Sequence, residues 1–77
     1  MLLRPIVNKI RCKYCIDILE SKSVHDFRQC SCGACFTDGG HKYIRRGYLG
    51  EKPEDCYEDL STYEVVSTGE IIKLGKD

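Results

Sequence analysis

The chain has 77 residues, six cysteines, no tryptophan, and 12 basic side chains against 12 acidic ones. That length leaves room for one domain, since domains typically take ~100–150 residues. It also excludes a large core, because a chain below ~80 residues draws only ~3–5 kcal/mol from hydrophobic burial. Ile, Leu, Val and Phe make up 19 of the 77 residues, above the level of roughly one-fifth under which chains stay disordered. A thin core with a staple is expected, and the cysteines are the candidate staple.

The first nine residues carry two short apolar pieces interrupted by Arg4 and Pro5. A secretory signal needs an apolar stretch of ~7–15 residues and a membrane span ~20, so a soluble, cytoplasmic chain without membrane contact is expected. Thiols there stay reduced, which favours metal binding over disulfides. Residues 6–11 lead into Cys12-Lys13-Tyr14-Cys15, and the alternation of Ile16 and Ile18 predicts a strand returning antiparallel. Ser21-Lys22-Ser23 reads as a turn, with residues 24–29 extended towards Cys30-Ser31-Cys32-Gly33-Ala34-Cys35.

Two cysteine pairs separated by fourteen residues form the ligand pattern of a tetrahedral zinc site, each tight turn supplying two thiolates. Cys12 and Cys15 make the first pair. The second is Cys30 with Cys32 or Cys32 with Cys35. The former is favoured because Gly33 then follows the second ligand, where the backbone takes positive φ, and Cys35 begins a strand as a small apolar residue. His25 is a weaker substitute ligand, and Cys56 reads as a partly buried free thiol.

Residues 34–38 and 42–46 flank Asp38-Gly39-Gly40-His41, a hairpin signal. If the second segment is a strand, His41, Tyr43 and Arg45 share one face, and Lys42, Ile44 and Arg46 the other, with Ile44 in the core. Interleaved basic and aromatic residues can stack a base while arginine holds a phosphate, and the Gly39-Gly40 backbone can form an anion-binding nest. The candidate ligand-binding set is therefore Asp38, Gly39, Gly40, His41, Tyr43, Arg45 and Arg46. The plainer alternative is a hairpin turn followed by a solvated edge strand.

Residues 50–61 read as an acidic loop with one helical turn near Pro53. The β-branched residues at 62–67 and 70–74 predict two strands around Thr68-Gly69. The expected architecture is a small mainly-β protein of zinc-ribbon-like hairpins stabilised by one structural metal. A single domain over 1–77 would comprise a core of about 6–48, the acidic loop 50–61 and a C-terminal hairpin 62–75.

The zero net charge conceals two unlike halves. Residues 1–46 hold nine basic and four acidic side chains, and residues 47–77 three and eight, giving +5 and −5. The halves can neutralise each other by packing together, or present a basic face to an anion.

The order Asn8-Lys9-Ile10-Arg11-Cys12-x-x-Cys15, Glu20-Ser21-Lys22, His25-Asp26-Phe27, Cys30-Ser31-Cys32-Gly33 and Asp38-Gly39-Gly40-His41-x-Tyr43-x-Arg45-Arg46 resembles an uncharacterised family of small zinc-ribbon-like bacterial and phage proteins, over about residues 8–61. The resemblance implies Cys30 and Cys32 as the second ligand pair, with no cysteine at position 35. It also implies glycine after the first knuckle, where this chain has Ile16, and it singles out the Asp38–Arg46 segment.

Three functions are then open. The first is a zinc-stabilised binding module whose partner is a host protein or a nucleotide-like small molecule, with homo-oligomerisation also open. The second is a phage inhibitor of host immunity that sequesters a nucleotide signal or blocks a defence protein. The third is a nucleic-acid-binding ribbon, disfavoured by a pI near 6.7 because polyanion binding rests on many phosphate contacts. Catalysis is not expected, since four thiolates close a zinc shell and leave no position for water.

Overall fold

A computed structural model describes residues 2–74. Its spine is β1 (Leu3–Cys12), the longest strand. On one side β1 pairs antiparallel with β2 (Ile18–Ser21). On the other side it pairs with β7 (Thr62–Val65) along its first half and β6 (Tyr57–Asp59) along its second. β8 (Ile71–Lys73) closes this sheet beside β7. A second, three-stranded sheet has the order β3 (Arg28–Gln29), β4 (Cys35–Asp38) and β5 (Arg45–Tyr48). One helical turn, α1 (Pro53–Cys56), begins at its proline and leads into β6. The architecture is thus mainly β with antiparallel hairpins. No helix among the described residues is long and apolar enough to cross a membrane.

Strand alternation in β1 turns Asn8, Ile10 and Cys12 inward. Pro5 is also buried, an odd number of positions away, because a register shift between Pro5 and Val7 changes the parity. The core is small: Ile10, Cys12, Leu19, Cys30, Ala34, Cys35 and Cys56 form one buried cluster. Four of its seven members are cysteines.

The structure revises three local expectations. Ile16 and Ile18 are exposed, whereas Leu19 and Ser21 point inward, opposite Ile10 and Asn8. Ile16 is taken into the turn, where its N–H donates to the Cys12 carbonyl at 3.0 Å, so the returning strand starts one parity later. The extended run expected at 24–29 shrinks to β3, because residues 23–25 turn and the Ser21 hydroxyl donates to the Asp26 carbonyl at 2.7 Å. The hairpin around Gly39-Gly40 is present, but its second strand starts at Arg45. Residues 39–43 curl instead, with the N–H groups of Lys42 and Tyr43 donating to the Gly39 carbonyl. The expected face alternation from His41 to Arg46 therefore does not apply, and Ile44 is only half-buried.

The unlike halves do pack together. The ion pairs Arg4–Glu64, Arg11–Glu58 and Arg46–Asp59 each join the basic segment to the acidic one. Exposed pairs of this kind contribute little individually. Arg46 is different, because its side chain is enclosed. It donates to Thr37 Oγ1 at 2.8 Å, Asn8 Oδ1 at 3.1 Å and Ser61 Oγ at 2.8 Å, with its guanidinium over the Tyr57 ring. Asn8 completes the network, accepting from Thr37 at 2.6 Å and donating to the carbonyls of Asp38 and Gly40. Among the described residues no buried side-chain polar atom lacks a partner.

Replacing Asn8 with Ala orphans several of these groups at once, and each buried orphan costs ~1–3 kcal/mol. Asn8→Ala is therefore expected to lower stability by at least that amount in urea unfolding. Ile16 sits at φ 65°, a left-handed conformation costing a side-chain-bearing residue ~1–2 kcal/mol. Ile16→Gly is expected to raise the unfolding midpoint; an unchanged or lower midpoint would show that the turn is not strained.

Candidate metal centre

Cys12 ends β1 and Cys15 lies in the turn towards β2, while Cys30 and Cys32 lie in the turn joining β3 to β4. Each sheet thus contributes one hairpin tip. The first tip is tightened by Cys12 N–H donating to the Asp17 carbonyl at 2.9 Å, and the second by Gly33 N–H donating to the Cys30 carbonyl at 3.0 Å. Gly33 has φ 75°, the left-handed conformation expected of the glycine that follows Cys32. The Asp17 carboxylate bridges the tips by accepting the Ser31 N–H at 2.9 Å. The Ser31 hydroxyl and N–H hold Asp17 below the usual carboxylate range.

The four sulfurs of Cys12, Cys15, Cys30 and Cys32 lie within 4.8 Å of one another. Cys12 and Cys32 are 3.6 Å apart, and Cys30 and Cys32 3.5 Å. A tetrahedron with metal–sulfur bonds of ~2.3 Å has edges of about 3.8 Å, so the sulfurs already sit close to such a shell. The donor set fits a soft or borderline divalent cation. The backbone supports thiolates too: Tyr14 N–H points at Cys12 Sγ and Cys35 N–H at Cys30 Sγ, both at 3.4 Å.

The electrostatics set Cys15, Cys30 and Cys32 apart from one another. The Asp17 N–H, joined by that of Cys32, draws Cys15 down to about 6 against the opposition of desolvation. Desolvation works against ionisation of Cys30, but the Cys35 N–H and the neighbouring thiols outweigh it and leave Cys30 lowered. Cys32 is drawn down by the Ala34 N–H, yet desolvation and its neighbours Cys30, Cys15 and Cys12 push it up to about 12. Four sulfurs this close repel one another when ionised, and a central dication removes that conflict.

The two remaining cysteines stay outside this quartet. Cys35 starts β4 and is buried, its thiol 3.9 Å from Cys30 Sγ and raised by burial. Cys56 is fully buried, more deeply than the sequence suggests, and its thiol donates to the Ala34 carbonyl at 3.4 Å. His25 is exposed and lies outside the quartet.

The segment from Asp38 to Arg46 divides into an inner and an outer part. Asp38 is buried and accepts from Gly39 N–H at 2.8 Å and from Arg45 at 3.0 Å. Gly40 N–H donates to Ser21 Oγ at 2.9 Å. The nest foreseen at Gly39-Gly40 therefore has its N–H groups directed to acceptors within the chain. A Cβ on Gly40 would lie 2.3 Å from the Ser23 carbonyl carbon, so the glycine permits two loops to touch. Arg46 is enclosed in the inter-sheet network. His41, Lys42, Tyr43 and Arg45 remain exposed, with Tyr43 Oη donating to the Val24 carbonyl at 3.3 Å.

The inter-sheet network is a structural site that the sequence reading did not single out. Its signal was the parity of Asn8, which shares an inward face with Ile10 and Cys12.

No curated protein and no solved structure matches the chain. Residues 4–48 match a family described as a domain of unknown function (DUF7695). That stretch spans both hairpin tips, all four clustered cysteines and the whole Asp38–Arg46 segment. It is more than half of the chain, and the protein belongs to this family.

Proposed function

We propose that the protein is a small binding module whose fold is held by one zinc ion on Cys12, Cys15, Cys30 and Cys32. Zinc suits an all-thiolate tetrahedron, and four protein ligands make such a site structural. The module recognises an anionic group, of a nucleotide-like ligand or of a protein partner, through the segment of residues 38–48.

The observation that carries this reading is the outward set His41, Lys42, Tyr43 and Arg45 on a loop whose backbone is pinned from inside. The loop lies at the far end of β4 from the cysteine quartet. A pinned loop presents its side chains with little ordering cost, which favours recognition. Tyr43 supplies a ring face, Lys42 a mobile charge and Arg45 a planar fork oriented by Asp38. In a bacterial or phage setting, such a module would act by holding a nucleotide signal or by covering a defence protein. Only the first gives a response to small ligands alone.

The test is calorimetric titration of the zinc-loaded protein with mono-, cyclic and oligonucleotides at moderate salt. Binding is expected for at least one, and Arg45→Ala should weaken it about tenfold or more, as loss of a charge-assisted hydrogen bond does. No heat across the panel, or affinities of Arg45→Ala and Lys42→Ala unchanged from the wild type, would remove the nucleotide form of the reading.

A further inference from the structure

A fifth thiol touches the quartet from its buried side. Cys35 Sγ lies 3.9 Å from Cys30 Sγ, close to the ~3.8 Å edge of a metal–thiolate tetrahedron. Cys35 is 1% exposed. Cys32 occupies the opposite position, an exposed ligand on the solvent side of the cluster. Cys30 and Cys35 close the turn that carries Cys32, with Cys30 N–H donating to the Cys35 carbonyl at 3.2 Å. The separation from Cys30 is nearly equal, at 3.5 Å for Cys32 and 3.9 Å for Cys35.

We infer that Cys35 is a reserve metal ligand, which replaces Cys32 when that exposed sulfur is lost to alkylation, oxidation or mutation. Cys12, Cys15, Cys30 and Cys35 would then hold the ion. In the exchange the metal–Cys32 bond breaks and a metal–Cys35 bond forms, the Cys35 thiol proton going to solvent as for any coordinating thiol. The sulfur of Cys32 is taken beforehand by an external maleimide-type alkylating agent or by peroxide. The inference rests on the zinc reading above. It goes beyond that reading by assigning a role to a cysteine that a four-ligand site does not need.

Cobalt(II) in place of zinc reports the number of thiolates through its sulfur-to-metal charge-transfer absorption. The wild type is expected to bind one equivalent with a four-thiolate spectrum. Cys32→Ala should keep that intensity, whereas Cys32→Ala/Cys35→Ala should lose about a quarter of it, one metal–sulfur bond in four. A three-thiolate spectrum already in Cys32→Ala, or precipitation of that variant with metal present, overturns the reserve role. Absence of a four-thiolate spectrum in the wild type removes the zinc reading itself.

A second measurement leaves Cys12, Cys15, Cys30 and Cys32 unsubstituted. The zinc-loaded wild type and Cys35→Ala are labelled at exposed Cys32 with N-ethylmaleimide, and zinc release is followed with a colorimetric chelator. The labelled wild type should retain zinc while labelled Cys35→Ala releases it. Equal release from both contradicts the inference.

Discussion

The convergence of two hairpin tips from separate sheets onto one group of four sulfurs is the constraint from which the rest of the structure follows. β1 delivers Cys12 at its end, and the turn after it delivers Cys15; the β3–β4 turn delivers Cys30 and Cys32. Among the described residues the buried cluster around them holds Ile10, Leu19 and Ala34 besides cysteines, with Tyr57 packed against it, a small core for a chain of this size. Tying the tips together fixes the angle between the sheets at one end. It also places Cys35 and Cys56 in the interior, where their side chains act as small apolar filling. The short, glycine-containing turn at Gly33 and the left-handed Ile16 are the backbone conditions for that convergence.

A second tie lies further along β1. Asn8, Thr37, Arg46 and Ser61 join the two sheets through hydrogen bonds that satisfy every member. A complete polar network fixes register and relative position where apolar contacts would permit sliding. The Arg45-Arg46 pair illustrates the division of labour that results. Arg46 turns inward, opposite Thr37, and belongs to the scaffold; Arg45, opposite Asp38, stays at the surface. The basic first half and acidic second half of the chain meet across β1 in the same way, so much of the charge asymmetry is internal complementarity.

The fold class was legible in the sequence because it depends on short-range signals. Cysteine spacing, Gly33 after the second ligand, the proline that opens α1 and the β-branched segments at 62–74 each act within a few residues. The clustering of Cys12, Cys15, Cys30 and Cys32 was legible for the same reason. What was not legible depends on parity and on contacts between distant segments. One residue absorbed into the Cys12–Ile16 turn moved the inward face from Ile16 and Ile18 to Leu19 and Ser21. The curl at 39–43 delayed β5 and so undid the face assignment of His41, Tyr43 and Arg45. The enclosure of Arg46 needs Asn8, Ser61 and Asp59, which lie up to 38 residues away, and no local pattern announces it. The nest reading at Gly39-Gly40 met the same limit, since the acceptor for Gly40 is the distant Ser21 hydroxyl.

If the sulfur cluster organises the fold, metal and folding are a single equilibrium, as in other small metal-held domains. The most direct measurement is a zinc titration of the reduced, metal-free protein, followed by amide NMR. The account predicts a collapsed, poorly dispersed spectrum without zinc. A dispersed β-sheet spectrum should grow in slow exchange and be complete at one zinc per chain. A fully dispersed spectrum before any zinc is added, unchanged by its addition, would contradict it.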